Sequence, residues 1–499
     1  MSLSFPLSPT QLDVLIEQNF SPDVPMHNVG LHFPIRGELC IKRFFAAIES
    51  VVRSSDALSA ALAPGDDIPL QRVVTKGELP LRRLHVMSMD EALEWMAVDF
   101  DVPFELYGDY LFRFALIPLA DGGYLFYTVF HHLIVDAAGV LLMMQRIRDA
   151  YRALAADEQP QGSFPRYGDF VQADHDYWAS EAFRKAEAFW KHRFAELPEQ
   201  LPKLGGAKTA GADEVRSHKI GLSLPRASFD RLQAHFRPAK ATSSQLFTAL
   251  LYGFFGRMWG VSDLAVGVAR LNRGTDQFRQ TIGTFANISP VRIAGGTTLA
   301  ETLAAIHRDL AEVWEHRHFP TSALNRALNL LDKGREQLFD ISLAYIQGGV
   351  ARLELGDATI GAPKVLTSGY DRGALQAFVS DNPGEPLYVE LICSRRYIEP
   401  ARAALLGTQF TAFVEALSCD PDRCFRDFDI LLAEERERLL VEWNRTERPL
   451  PGGLVHELIA QAAARSPEAV AVRSGDASLT YGELDARSNR LARHLQSLG

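Results

Sequence analysis

The feature that most restricts the fold of this chain is a short buried strand that leads through a polar turn into an amphipathic helix. Residues 124–130 (YLFYTVF) combine aromatic, aliphatic and β-branched side chains, a composition typical of a strand inside a sheet. From residue 140 to residue 154 apolar residues recur at spacings of three and four, which places them on one helix face. The turn between them reads His131-His132-Leu-Ile-Val-Asp136. The segment therefore predicts an α/β architecture in which this turn lies at one edge of a sheet.

The second half of the chain repeats this plan. A strand predicted over residues 387–392 precedes a helix over 400–417, and a helix over 245–259, capped at Thr242, leads into a strand over 263–268. With 499 residues, the chain has room for about three domains of roughly 150 residues. The two similar units leave a diverged internal duplication open. The composition of the sequence changes after Leu431, which indicates that a further unit follows these two.

Charge and cysteine content exclude several classes of protein. Asp and Glu outnumber Lys and Arg by 62 to 52, and no sustained basic stripe is available for phosphate contacts, so we expect no nucleic-acid partner. Cys40, Cys393, Cys419 and Cys424 have neither the number nor the spacing of a disulfide framework or a zinc site. We therefore expect no metal and a reducing compartment. Without a secretory signal or a run of about 18 apolar residues, the sequence predicts a cytoplasmic protein with no membrane contact.

The histidine pair is the strongest candidate for chemistry. Imidazole exchanges protons near neutral pH, and the end of a rigid strand is a place from which a side chain reaches a cleft. Asp136, four residues after His132, is able to orient a histidine or to be held by an arginine. The alternative is a satisfied pair of core histidines followed by a helix-capping aspartate. The local residues leave both interpretations open.

Several motifs resemble the condensation domains of nonribosomal peptide synthetases. The turn from His131 to Asp136 is similar to the family signature His-His-x-x-x-Asp-Gly. Five other segments resemble family motifs and follow the family's order: residues 6–11 (PLSPTQ), 167–170 (YGDF), 266–273 (VGVARLNR), 282–292 (IGTFANISPVR) and 316–320 (HRHFP). Further on, residues 443–446 (WNRT), Pro467 and residues 479–484 (LTYGEL) resemble the linker and first motif of an adenylation domain. The chain is identified as a member of the condensation-domain family, followed by such a fragment.

The resemblance implies a fold and a domain plan. The implied fold is α/β, described also as an α+β sandwich: a V-shaped pseudodimer of two chloramphenicol-acetyltransferase-like lobes with a central tunnel. We assign residues 1–180 to the N-terminal lobe and residues 181–430 to the C-terminal lobe. Residues 431–448 are the expected linker, and residues 449–499 the N-terminal fragment of an adenylation domain. No nucleotide-binding motif lies in that fragment, so we expect no adenylation from it.

The implied activity is amide-bond formation between two thioester-linked substrates, one entering the tunnel from each side. His132 is the expected catalytic residue. It would accept a proton from the attacking ammonium or hydrogen-bond the tetrahedral intermediate, and both roles stay open. His131 is expected to be structural. Asp136 is expected to pair with Arg273 and so to fix the turn that aims His132.

Other residues receive supporting roles from the resemblance. The backbone N–H groups of Ala138 and Gly139, at the start of the helix, are candidates for oxyanion stabilisation. Phe285 and Asn287 are expected to line the tunnel, with ordinary strand packing as the alternative. No tightly bound cofactor is expected.

Two departures from the family pattern stand out. Ala137 occupies the position of the signature glycine, and the glycine comes only at Gly139. The family glycine is needed either because another part of the backbone approaches closely or because the residue adopts positive φ. In the first case the methyl group of Ala137 reduces the space at this position without breaking the turn. Residues 54–59 (SSDALS) lack the His and Arg residues of the corresponding family element, so the role of that element does not carry over, and a plain surface helix end is the alternative.

The expected subtype is a starter condensation domain, because the first motif begins at Pro6 with no carrier domain before it. Starter domains acylate the first amino acid, usually from acyl-CoA, and so initiate an N-acylated (lipo)peptide. The expected donor is therefore acyl-CoA. The expected partners are the phosphopantetheine arm of a downstream peptidyl carrier protein and the adenylation domain of the same synthetase. Two alternatives stay open: an elongation domain fed in trans by an upstream carrier protein, and a non-catalytic platform that recruits carrier proteins.

Overall fold

The computed structural model describes residues 4–65, 68–74, 77–108, 110–201, 215–347, 352–449 and 452–499. The chain divides into two compact units, Met1–Ile430 and Leu431–Gly499. Residues 450 and 451, at the start of the expected adenylation fragment, lie outside the described residues. Among the described helices, none has the length and apolar character needed to cross a bilayer.

The N-terminal half of the first unit is built around a mixed sheet. Its elements are β1 (Ser4–Pro6), α1 (Pro9–Asn19), β2 (Asn28–Gly37), α2 (Ile41–Arg53), β3 (Ala60–Ala63), β4 (Leu70–Val73), β5 (Leu81–Arg83), α3 (Met89–Phe100), β6 (Phe112–Pro118), β7 (Tyr124–His131) and α4 (Ala137–Ala155). Strand β7 lies between β2 and β6, antiparallel to both, and β5 runs parallel to β6. Helices α2 and α4 cover one face of the sheet and α3 covers the other. Because both faces are covered, the predicted apolar strand is buried along nearly its whole length.

The C-terminal half of the first unit is built around a second sheet. Helix α5 (Tyr167–Ala179) follows α4 and leads into its elements, which are α6 (Glu181–Arg193), β8 (Ser217–Leu224), α7 (Arg226–His235), α8 (Ser243–Trp259), β9 (Asp263–Arg270), α9 (Asp276–Arg279), β10 (Asn287–Ala294), α10 (Leu299–Glu312), α11 (Thr321–Ala327), β11 (Ile341–Gln347), β12 (Leu353–Leu355), β13 (Ala358–Ile360), β14 (Lys364–Leu366), β15 (Leu375–Asp381), β16 (Leu387–Ser394) and α12 (Pro400–Cys419). The strand order of the sheet is β10-β9-β11-β15-β16-β8. Helices α7, α8, α10 and α12 form one large core with this sheet, while α6 and α11 pack on a smaller one. The expected α/β fold with two lobes is confirmed, and the repeated strand–turn–helix plan corresponds to β7–α4 and β16–α12.

The C-terminal half of the first unit contributes three strands to the sheet of the N-terminal half, which the division at residue 180 does not describe. Strands β13 and β14 pair with β2 in the N-terminal sheet, with Ile360 opposite Ile35 and Val365 opposite Leu31, and β12 pairs with β13 at the edge. We correct the assignment of residues 353–366 accordingly. These strands have three residues each, so their short patterns do not indicate which sheet they extend.

The second unit has helices on either side of a two-stranded hairpin. Its elements are α13 (Ala433–Glu437), a π-helical turn (Arg438–Glu442), α14 (Val455–Arg465), β17 (Val470–Ser474), β18 (Ala477–Thr480) and α15 (Tyr481–Ser497). Gly475 adopts φ 58° in the hairpin turn, a left-handed conformation that glycine adopts without steric cost. Its identity as an adenylation fragment stays a prediction.

Candidate active site

The turn between β7 and α4 carries the histidine pair on a fixed backbone. The N–H of His131 donates to the carbonyl of Leu111 at 2.8 Å, and the N–H of His132 donates to the carbonyl of His27 at 2.8 Å. The His132 side chain is half-buried, and its Nδ1 is a buried atom with no hydrogen-bond partner among the described residues. Leaving such a nitrogen unpaired costs free energy. His132 therefore combines a held backbone with an imidazole nitrogen whose bonding capacity is unused.

The ring of His131 is engaged inside the protein. Its Nδ1 accepts the N–H of Leu133 at 3.2 Å, so the proton resides on Nε2, which donates to Oε1 of Gln18 at 3.4 Å. Burial, reinforced by His27 and His132, holds the pKa of His131 well below its usual value. A neutral ring with both nitrogens engaged supports the structural role that we expect for His131.

Asp136 is the N-cap of α4, and donors saturate its carboxylate. Oδ1 accepts the N–H of Gly139 at 2.8 Å and Nη2 of Arg273 at 2.8 Å, while Oδ2 accepts the N–H of Phe285 at 3.0 Å. The expected ion pair is present, and both side chains are buried, with 3% of Asp136 and 6% of Arg273 exposed. The Arg273 guanidinium also lies 4.0 Å from the centre of the Phe285 ring. Burial lowers the pKa of Arg273, an effect that the carboxylate of Asp136 opposes.

A loop of the C-terminal lobe, residues 281–286, contacts this turn closely, and we call it the clamp loop. The carbonyl of Gly283 accepts the N–H of Asp136 at 3.2 Å, and the hydroxyl of Thr284 donates to the carbonyl of His132. The clamp loop is held in turn by Tyr167, whose hydroxyl donates to the Thr284 carbonyl at 2.7 Å. The position of His132 thus depends on both lobes.

Gly283→Ala is expected to disturb this arrangement. A Cβ atom at Gly283 would stand 2.1 Å from Cδ2 of Tyr167, a fully buried ring, so either the ring or the clamp loop must move. We expect a destabilisation of roughly 1–3 kcal/mol, typical of overpacking, together with a loss of turnover. Thermal unfolding and product formation measure the two effects. Gly162→Ala is the matched control, because a Cβ atom there meets nothing within 4 Å; equal stability of the two variants would contradict the prediction.

Of the two expected oxyanion donors, the structure removes one. The N–H of Gly139 donates to Asp136, so it is not available to a substrate, and we correct that assignment. The N–H of Ala138 has no acceptor among the described residues and stays a candidate. Ala137 is the first helical residue and does not adopt positive φ, so the conformational freedom of the family glycine is not needed there.

The two residues expected to line the tunnel differ in their surroundings. Phe285 is 2% exposed and packs against Tyr167 and Phe170, so it belongs to an aromatic cluster rather than to a channel wall. Phe285 is part of the clamp loop, and its ring packs on α5, which explains this burial. Asn287, at the start of β10, is half-buried and donates from Nδ2 to the Phe319 carbonyl at 3.3 Å. Its place in a tunnel stays a prediction.

Sequence reasoning missed several supporting residues. Gln18 and His27 contact the histidine pair from α1 and from the loop before β2, and only their hydrogen bonds reveal it. The element at residues 54–59 is more than a surface helix end. Asp56 accepts the N–H groups of Tyr167 and Gly168 at 2.9 and 3.0 Å and so anchors the start of α5, which holds the clamp loop. The sequence contained no signal for these contacts, since each joins distant segments.

Comparisons with known proteins agree with this architecture. The family described as "Condensation domain" matches residues 2–440. The dimodular nonribosomal peptide synthase of Bacillus subtilis (strain 168) is 23% identical over 514 residues, which cover 100% of this chain and 21% of that protein. Gramicidin S synthase 2 of Brevibacillus brevis is 24% identical over 510 residues, which cover 99% of this chain and 11% of that protein. The chain thus spans about a fifth or less of the length of these curated relatives.

Two solved structures share the fold. The first condensation domain of the calcium-dependent antibiotic synthetase, in complex with a substrate analogue, aligns with a TM-score of 0.77 at 20% identity over 86% of this chain and 99% of that one. A mutant of the starter condensation domain of rhizomide synthetase, in complex with C8-CoA, aligns with a TM-score of 0.74 at 22% identity over 86% of this chain and 98% of that one. At 20% and 22% identity, these alignments establish the shared fold alone.

Proposed function

The chain belongs to the condensation-domain family, whose members form amide bonds in nonribosomal peptide synthesis, and we propose that it is a starter condensation domain. In this proposal the chain transfers an acyl group from coenzyme A to the amino group of an aminoacyl thioester. The thioester is carried on the phosphopantetheine arm of a peptidyl carrier protein. The product is an N-acylated aminoacyl thioester, the first intermediate of an acylated peptide.

The observation that carries the proposal is the half-buried His132 ring, held on a turn that two lobes fix. Because the ring is only half-buried, its exposed side is suited to accept a hydrogen bond or a proton from an attacking amine. The Ala138 N–H, at the start of α4, is suited to stabilise the oxygen of the tetrahedral intermediate. Because thioesters are already activated, holding the two reactants together supplies a large part of the rate.

The donor is the finer part of the proposal. A mutant of the rhizomide synthetase starter domain, whose fold this chain shares, was solved with C8-CoA, and this supports an acyl-CoA donor. The proposal also expects cationic side chains at the donor entrance, because coenzyme A carries phosphates that a pantetheine arm alone lacks. Acyl-pantetheine should therefore be a weaker donor than the corresponding acyl-CoA.

A donor assay tests the proposal. The protein is mixed with octanoyl-CoA and an aminoacyl-loaded carrier protein, and the mass of the carrier is followed. We expect one octanoyl group to be added per carrier, with none added when the protein is left out. Acylation only from an octanoyl carrier protein, with none from octanoyl-CoA at millimolar concentration, would instead establish an elongation domain fed in trans. No acylation from either donor would favour a non-catalytic platform.

A further inference from the structure

A group of charged residues lies beside the histidine pair, outside the contacts described so far. Glu17, in the last turn of α1, places Oε2 3.4 Å from Nε2 of His27 and Oε1 3.7 Å from Nε of Arg372. Asp371 precedes Arg372 in the same loop and accepts the N–H of Gly373 at 2.6 Å. The Nε2 of His27 and the Nε of Arg372 are buried atoms without a hydrogen-bond partner among the described residues. The group is thus only partly satisfied from within the protein.

The carboxylates of this group exceed its cations. Two neighbouring acids have partners elsewhere, since Asp13 pairs with Arg326 at 3.1 Å and Glu336 with Arg396 at 3.0 Å. The remaining carboxylates are those of Glu17 and Asp371, which have one neighbouring guanidinium, that of Arg372. His27 does not compensate the difference, because burial, together with His132 and Arg372, lowers its pKa to about 3 and keeps it neutral. Within the described part of the chain, the group is therefore one positive charge short.

The pKa values of the two carboxyl groups are raised. Burial, with repulsion from Asp371, raises the pKa of Glu17 to about 7, and burial raises the pKa of Asp371 to about 6. The side chain of Glu17 nevertheless remains 35% exposed, so a small molecule is able to reach it. A cation that arrives here would gain an ion pair and release the carboxylates from their mutual repulsion.

The location connects this group to the reaction. His27, whose ring contacts Glu17, accepts the N–H of His132 through its carbonyl, and the His27 ring lies 5.9 Å from that of His131.

We propose that Glu17, with Asp371 beside it, binds the ammonium group of the amine acceptor and takes the proton that the nitrogen loses before it attacks. This inference rests on the proposed function and specifies its acceptor side. Asp371 contributes charge, while Glu17 makes the contact.

The steps balance as follows. The ammonium transfers one proton to the Glu17 carboxylate, and the neutral nitrogen forms a bond to the thioester carbonyl carbon. The carbon–sulfur bond then breaks, and the second proton passes from nitrogen to the departing sulfur. Glu17 returns its proton to water. Since α-amino groups titrate near pH 8, a carboxylate with a pKa of about 7 is well matched to this transfer, and His132 is left to act on the tetrahedral intermediate.

The test compares Glu17→Gln with the native protein on two acceptors, an aminoacyl pantetheine thioester and its α-hydroxy analogue, which has the same shape without the charge. We expect kcat/KM for the amine to fall roughly 10- to 100-fold, the range of a charge-assisted hydrogen bond, with little change for the hydroxy analogue. Glu49→Gln is the matched control, because it removes the same charge from an exposed pair with Arg53. Thermal unfolding verifies that Glu17→Gln stays folded.

The pH profile provides a second readout. In the native protein, kcat/KM for the amine should rise as pH increases through 7, because only the ionised Glu17 accepts the proton; Glu17→Gln should lose this limb. The titratable or charged groups that act on Glu17 are Asp13, His27, Glu336, Asp371 and Arg372. An unchanged amine kcat/KM in Glu17→Gln, or an equal loss with both acceptors, would overturn the inference. A native protein that forms no amide at all would instead refute the proposed function.

Discussion

Asp136→Ala is expected to destabilise the protein by about 3–5 kcal/mol, because it leaves the Arg273 guanidinium buried without its counter-charge. The substitution also removes the N-cap of α4 and strands the N–H groups of Gly139 and Phe285. Chemical denaturation measures the loss. Turnover should fall as well, since the clamp loop loses its hydrogen bond from the Phe285 N–H to the histidine turn.

Two further variants make this prediction specific to the buried pair. A double variant that replaces both Asp136 and Arg273 by neutral residues should recover part of the stability, because no charge is then left without its partner. Asp121→Ala, which breaks an exposed pair with Arg36, should change stability little. A fully stable but inactive Asp136→Ala protein would contradict the prediction and place Asp136 in contact with substrate.

His132→Ala is expected to lower turnover roughly 10²- to 10⁴-fold, the usual contribution of a positioned acid–base group. Its melting temperature should change little, because the half-buried ring makes no hydrogen bond through Nδ1 and the backbone bonds to His27 and Thr284 remain. Single-turnover amide formation and thermal unfolding are the two measurements.

The adjacent histidine is the matched comparison. His131→Ala should mainly reduce stability, because it removes a buried ring and leaves Gln18 and the N–H of Leu133 without their partner. The two substitutions thus have opposite signatures. Near-native turnover in His132→Ala would indicate that holding the reactants together is sufficient for catalysis.

The sequence predicted the elements of the site better than their contacts. Strand β7, helix α4 and the cap at Thr242 follow from local patterns, because periodicity and capping act within a few residues. The pairing of Asp136 with Arg273 joins residues 137 positions apart, and only the ordered family motifs indicated it. The same motifs assigned Phe285 to a tunnel wall, because a motif carries residue identity without showing which way a side chain faces.

Other features depend on tertiary packing and were not accessible in advance. The N–H of Gly139 was expected to face substrate, but Asp136 caps the helix with that same group. Glu17 lies in an ordinary helix, and its significance comes from Arg372 and Asp371, which are far away in sequence. The crossover of residues 353–366 depends on which sheet has an unpaired edge strand. That is a property of the assembled lobes.

The crossover of β12, β13 and β14 into the N-terminal sheet also sets an order on folding during synthesis. The ribosome releases β2, β6 and β7 early, but β13 and β14, which cover the other edge of β2, emerge only when residue 366 has been made. At 5–20 residues per second, the interval after β7 is roughly 10–50 s. During that time the nascent N-terminal lobe presents an unpaired strand edge, the kind of surface on which chains aggregate. The edge of β2 thus stays uncovered until the C-terminal half of the chain has been made.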